Sequence, residues 1–142
     1  MSKKKKNRNK IDGSYSVIEH NLANSEAFKD LNIHTKWLYM EFKFRFHGDN
    51  RKHITLTYKE AIKFMSINTF IKSRNKLIER GFIDVIERGG LEKQPAIYGL
   101  SDRWKGYGTK DFVKVDIKKI LPKIYKNKFK KGHKLFKKRK HL

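Results

Sequence analysis

The sequence predicts an α+β fold that is mostly α-helical, with one folded domain between two basic arms. Three observations support this prediction. The 142 residues carry 36 Lys+Arg against 14 Asp+Glu, and most of the excess lies near the ends. The middle of the chain alternates helix caps with apolar residues at helical spacing. Two β-prone stretches around a Gly-Gly pair then predict a small antiparallel hairpin.

The charge divides the chain into three parts. Residues 1–10 carry +6, residues 114–142 carry +12, and the remaining +4 of the total of +22 lies in residues 11–113. Like charges at this density repel one another and bury too little surface to offset the entropy of ordering. We therefore expect a basic N-terminal arm (1–10), a folded domain (11–113) and a basic C-terminal arm (114–142) that is helical in part.

The order of elements begins with an extended stretch at residues 15–18. Ser25 is placed to cap a short helix over residues 26–31, and Thr35 to cap a longer second helix. Apolar side chains occupy most of the circumference of the second helix, which predicts a buried central helix. These side chains belong to Trp37, Leu38, Met40, Phe42, Phe44 and Phe46. A Gly-Asp-Asn turn at 48–50 ends the helix.

Two further helices follow in close succession. Thr57 and Glu60 have the spacing of a capping box, which opens a helix to about residue 64. Ser66 can cap the next helix, and Gly81 stands where a left-handed residue is expected to end it.

Three short β-prone stretches complete the pattern. They occupy residues 54–56, 82–88 and 96–100, and the last two are joined by a glycine-containing loop. The order is helix, helix, strand, helix, helix, strand, loop, strand. This order predicts a winged helix-turn-helix, in which residues 66–80 form the recognition helix and the loop forms the wing.

A helical projection of residues 66–80 separates an apolar arc, with Arg74 inside it, from a polar arc. The polar arc is assigned to six residues, none of them acidic: Asn68, Thr69, Lys72, Ser73, Asn75 and Lys76. Asn can pair with adenine and Lys with guanine in the DNA major groove, mainly from the N-terminal part of such a helix. The predicted base-reading residues are Asn68, Thr69 and Lys72. The predicted DNA-backbone contacts are Ser66, Ser73, Asn75 and Lys76 on the helix, with Arg88 and Lys93 on the wing.

The arms predict sequence-independent contacts with a polyanion. The residues proposed for this are Lys3, Lys4, Lys5, Lys6, Arg8, Lys130, Lys131, Lys137, Lys138, Arg139 and Lys140. In the C-terminal arm, Pro122 interrupts apolar residues at helical spacing, so we expect any helix there to begin near Pro122 or to be kinked. Lysine-rich tails are also typical of structural, ribosome-associated RNA-binding proteins, which is the alternative function. Membrane attachment through the C-terminal arm is a third, weaker alternative.

Other classes of function are disfavoured by residue content. The absence of cysteine excludes disulfides, thiolate nucleophiles and cysteine-based zinc fingers. The six histidines lack metal-ligand spacing, and the chain contains neither a P-loop nor a carboxylate cluster. We therefore expect no catalytic residue, no metal and no cofactor. The chain also lacks an apolar run of ~18 residues and an apolar segment after its basic start, so we expect a cytoplasmic, nucleoid-associated protein.

Several segments resemble small helix-turn-helix proteins of phages, plasmids and other mobile elements, which act in replication or regulation. The segments are SEAFKDL at 25–31, TYKEA at 57–61, SINTF at 66–70, LIERGFI at 77–83 and IYGLS at 97–101, with Trp104 beyond them. The resemblance implies binding of double-stranded DNA and leaves homodimer formation open. The usual glycine between the two helices is missing here, and the first helix is about two residues short.

Overall fold

The computed structural model describes residues 12–89 and 94–121, and within these ranges the fold is α+β. The elements in chain order are α1 (His20–Ala23), α2 (Glu26–Lys29), α3 (Ile33–Phe44), β1 (Ile54–Thr55), α4 (Tyr58–Ala61), α5 (Ile67–Arg80), β2 (Ile83–Glu87), β3 (Ile97–Leu100), a 3₁₀ turn (Arg103–Gly106) and α6 (Ile117–Ile120). The predicted α+β class is confirmed, with α1 as an element that the sequence did not indicate.

Three of the predicted helix starts are confirmed by their capping hydrogen bonds. Ser25 accepts from Phe28 N at 3.3 Å, and Ser66 accepts from Thr69 N at 3.2 Å. Thr57 and Glu60 form the complete capping box that opens α4. A cap satisfies N–H groups that the first helical turn leaves without partners, so each fixes where its helix begins. The regular part of α4 is a single turn that ends at Ala61, so the helix is shorter than the one predicted to about residue 64.

Helix α3 begins earlier than predicted, because Asn32 and not Thr35 is its N-cap. Asn32 Oδ1 accepts from both Thr35 N and Thr35 Oγ1, each at 2.8 Å. Thr35 is thereby buried inside the first turn of the helix. Asn ranks above Thr as an N-cap, which accounts for the difference.

The prediction that α3 is buried around its circumference is wrong. Leu38 and Phe42 are fully buried in the core, whereas Ile33, Trp37 and Phe44 are exposed on the opposite side of the helix. Helix α3 therefore has two apolar faces, of which one contributes to the core.

The three strands form one antiparallel sheet in the order β1-β3-β2. Ile54 pairs with Tyr98, so the short strand β1 covers one edge of β3. The register between β2 and β3 shifts between Val85 and Glu87, which leaves Ile86 in a bulge. The bulge interrupts the regular alternation predicted for β2, and Ile86 is consequently exposed.

Aromatic rings join the helices to the sheet in the core. The Phe82 ring lies 5.7 Å from the ring of Phe28, 5.5 Å from that of Tyr39 and 6.1 Å from that of Trp104. Centroid distances in this range are typical of favourable aromatic pairs. Phe82 thus connects α2, α3 and the 3₁₀ turn at the point where α5 passes into β2.

The end of α5 is fixed by Gly81, which has the predicted left-handed conformation at φ 86°. A Cβ atom at Gly81 would lie 2.6 Å from Trp104 N and 2.7 Å from Arg103 C. Arg103 itself donates to Ile78 O at 2.9 Å and to Asp84 Oδ1 at 2.8 Å, so it links α5 with β2. The close approach and the positive φ both require glycine.

Part of the predicted C-terminal arm contacts the core. Val115, Ile117 and Leu121 are partly buried against it, and α6 ends at Ile120. The helix expected near Pro122 lies outside the described residues, as do all the arm lysines and arginines listed above.

We predict that Gly81→Ala destabilises the protein more than Gly108→Ala, which is the matched control. Both glycines have a positive φ, but a Cβ atom added at Gly108 would have no other atom within 4 Å. Left-handed backbone costs about 1–2 kcal/mol in each variant, and displacement of the backbone near Trp104 adds about 1–3 kcal/mol at Gly81 only. Urea unfolding of the two variants measures the difference, and equal losses would contradict the role assigned to Gly81.

Candidate nucleic-acid interface

The outward face of α5 presents Asn68, Lys72 and Lys76 to solvent. Successive members of this set are four residues apart, so they lie along one line of the helix surface. All three belong to the set predicted from the sequence. An amide at the N-terminal end and two ammonium groups beyond it make a surface suited to base edges and phosphates in a groove of DNA.

Thr69 and Ser66 lie at the start of this face and are bonded to each other. Ser66 Oγ donates to Thr69 Oγ1 at 2.8 Å, while Ser66 Oγ also accepts from Thr69 N. The only proton of the Ser66 hydroxyl is therefore used within the protein. The Thr69 hydroxyl keeps its own proton and is the better of the two side-chain donors to a phosphate.

Asn75 is half-buried beside this face and is engaged by its neighbour. Its Oδ1 accepts from Arg74 Nε at 3.4 Å and from Arg74 Nη2 at 3.3 Å. The side-chain NH₂ group is the part of Asn75 that can donate to a phosphate.

Ser73 is not on this face, so the prediction that it contacts the DNA backbone is wrong. Its exposure is 2%, and it lies three positions after Phe70 and four before Leu77, both of which are fully buried. That spacing places all three on one side of the helix. The polar chemistry of serine suggested the outward face, whereas its position in the helix decides where it lies.

An acid interrupts the outward face, contrary to the expectation from the sequence. Glu79 is exposed and follows Lys72 by seven positions and Lys76 by three. The carboxylate would repel phosphate at the C-terminal end of the helix. The surface that can approach DNA closely is therefore the N-terminal part of α5, from Ser66 to Lys76.

Arg74 is buried in the core with an exposure of 3%. Its Nη1 donates to Tyr58 Oη at 3.0 Å and to Tyr98 Oη at 3.5 Å, and its guanidinium lies 5.7 Å from the centre of the Phe70 ring. Burial opposes the charge, but the two phenols offset it and hold the pKa of Arg74 above its ordinary value. Arg74 thereby joins α4, α5 and β3.

Arg80 is also engaged within the protein. Its Nη1 and Nη2 bind the two Asp30 carboxylate oxygens at 2.6 and 3.0 Å, and its guanidinium covers the Tyr107 ring at 4.6 Å. The Arg80 hydrogen bond holds the pKa of Asp30 below its ordinary range. This ion pair links α5 with the end of α2.

The residues preceding α5 add two exposed lysines that the sequence argument missed. Lys59 lies on α4 and Lys63 in the turn that follows it. The sequence signal for them was their spacing of four residues, which places two lysines on one side of a helix that begins at the capping box. They add positive charge in the segment that immediately precedes α5.

The described part of the loop predicted to form a wing contains one predicted contact residue. Arg88 is exposed directly after β2. Lys93 lies outside the described residues, which resume at Gln94.

Residues 12–89 and 94–121 contain no cluster of three potential metal ligands and no helix long and apolar enough to cross a membrane. Comparison of the chain with protein-family models, with curated proteins and with solved structures gives no match.

We predict that Tyr58→Phe lowers the free energy of unfolding by about 1–3 kcal/mol, the cost of leaving a buried donor without its partner. The phenylalanine ring keeps the edge-on contact of Tyr58 with Phe70, whose centroids are 5.6 Å apart. Tyr15→Phe is the control, because Tyr15 is exposed. Denaturant unfolding of both variants tests the role of Arg74, and an unchanged free energy for Tyr58→Phe would contradict it.

Proposed function

We propose that this chain is a winged helix-turn-helix protein that binds double-stranded DNA through α5. The observation that carries the proposal is the exposed line of Asn68, Lys72 and Lys76 on a helix whose opposite side is anchored in the core. Recognition helices of this class read base edges in the major groove from such a face. Asn68 and Lys72, with Thr69 beside them, read bases in this proposal, and Lys76 binds phosphate.

The elements around α5 support the same proposal. The single-turn helix α4 precedes it, and Arg74 fixes the two helices relative to each other through Tyr58. The antiparallel pair β2 and β3 follows and ends near Arg88. In the proposed complex, Arg88 approaches the DNA backbone from the wing, and Lys59 on α4 and Lys63 in the turn after α4 add positive charge just before α5.

Affinity and selectivity have different sources in this proposal. The basic arms hold most of the net charge and provide binding that depends on salt but not on base sequence. Selectivity comes from the few side chains at the start of α5, because base edges are distinguished by hydrogen bonds and apolar contacts in the groove. The biological role, in replication or transcription control of a mobile element, rests on the resemblance described above.

Selection from a random pool of duplex DNA at about 150 mM salt is the first test, since non-specific binding weakens steeply with salt. We expect a preferred sequence. We then expect Asn68→Ala and Lys72→Ala to reduce the preference for it by about 1–3 kcal/mol at the contacted base pair. Lys52→Ala, at an exposed lysine outside α5, is the control and should leave the preference unchanged.

Two results would contradict the proposal. One is tighter binding of structured RNA than of any duplex DNA at the same salt concentration, which would support the RNA-binding alternative. The other is a sequence preference that Asn68→Ala and Lys72→Ala leave intact, which would place recognition on another surface.

A further inference from the structure

The side of α3 that faces away from the core carries a continuous apolar line. Ile33, Trp37 and Phe44 are 82%, 46% and 50% exposed, and Met40, which is half-buried and packs in part against the core, lies between the two aromatic residues. The rings of Trp37 and Phe44 touch edge to face with centroids 6.0 Å apart. Contiguous exposed apolar surface of this kind marks an interaction site. We call these four residues the α3 seam.

The spacing of the seam indicates what kind of element covers it. Its members are separated by four, three and four residues, which is the alternation of d and a positions in a heptad. A helix with such a line packs against another helix that carries the same line. A second copy of this chain supplies one.

The charges beside the seam favour a second copy in parallel orientation. Lys36 and Glu41 lie on opposite sides of the seam, at heptad positions g and e. In a parallel pair, position g of one helix lies beside the following e position of its partner. Lys36 of each copy therefore lies beside Glu41 of the other, which gives two equivalent contacts. In an antiparallel pair, Lys36 would instead meet Lys36 or Lys43 of the second copy, and like charges repel.

Both charged groups already have a partner within the chain, and the Glu41 side chain is 16% exposed, so each would make the additional contact with its remaining hydrogen-bonding capacity. Lys36 Nζ donates to Lys29 O at 3.1 Å, and an ammonium group has two further donors. Glu41 Oε2 accepts from Arg45 Nη1 at 2.9 Å, and a carboxylate accepts several hydrogen bonds.

We propose that two copies of this chain associate through parallel pairing of their α3 seams. Three turns of helix bury much less than the ~800 Å² per partner of a standard interface, so the association is weak. Each copy also carries +22, and salt screens the resulting repulsion. Self-association therefore strengthens as salt rises, whereas DNA binding weakens. This opposite salt dependence separates the proposal from the proposed function, on which it does not rest.

Sedimentation equilibrium of the full chain, from micromolar to millimolar concentration and at low and high salt, tests the association. We expect the average mass to rise above 17.0 kDa with concentration and to rise further with salt. We expect Trp37→Glu to lower the association constant by more than about tenfold. Lys36→Glu should also weaken association, and the double variant Lys36→Glu/Glu41→Lys should restore it.

The orientation is tested by one introduced thiol, since the natural chain has no cysteine. Ile33→Cys should give a disulfide-linked dimer under mild oxidation, because parallel pairing brings the two residues at position 33 within the ~7 Å Cα separation that a disulfide allows. Antiparallel pairing would separate them by roughly 16 Å along the helix. Asn68→Cys, also in the first turn of a helix and exposed, is the control and should remain monomeric.

The proposal is overturned by a chain that stays at 17.0 kDa under all of these conditions. It is equally overturned if the double charge exchange fails to restore association, or if Asn68→Cys links as readily as Ile33→Cys. A strictly monomeric chain would leave the seam to another occupant, such as residues 122–142 or a different protein. Circular dichroism of each variant distinguishes loss of association from loss of folding.

Discussion

The buried guanidinium of Arg74 is the interaction on which the arrangement of this protein depends most. It reaches Tyr58 on α4 and Tyr98 on β3 from the middle of α5. A buried charge is tolerated only where hydrogen bonds replace its hydration, so the three elements are held in one relative geometry. That geometry fixes the rotation of α5 about its own axis. The line from Asn68 to Lys76 faces solvent because Arg74 points the other way.

The local signals in the sequence predicted the elements well because their causes are local. Ser66, the Thr57–Glu60 box and Gly81 each act within a few residues of where they stand, and each lies where expected. The α3 cap was misplaced because Asn32 and Thr35 are both capping residues three positions apart, and Asn32, the stronger N-cap of the two, begins the helix. Helix α1 has no side-chain cap hydrogen bond, so the sequence offered no start signal for it.

The residue types of the candidate interface could be predicted from the sequence, whereas the exact set of exposed residues could not. Periodicity separated Asn68 and Lys72 from the core, but the polar character of Ser73 outweighed its spacing from Phe70. Glu79 lies within residues 66–80 but was missed, because the polar arc drawn from the sequence stopped at Lys76. The exposed side of α3 could not be predicted, because an apolar residue carries no sign of whether it faces the core or a partner. Which side of α3 faces the core depends on how it packs against segments that are distant in the sequence.

The proposed DNA recognition lies at the start of α5, on a surface separate from the α3 seam. The most direct test is a titration of the ¹⁵N-labelled protein with the preferred duplex, in which the amide chemical shifts are measured at each step. The account predicts that the largest shifts lie between Ser66 and Lys76, with further changes near Arg88. The largest shifts along α3, or shifts confined to the basic arms, would contradict it.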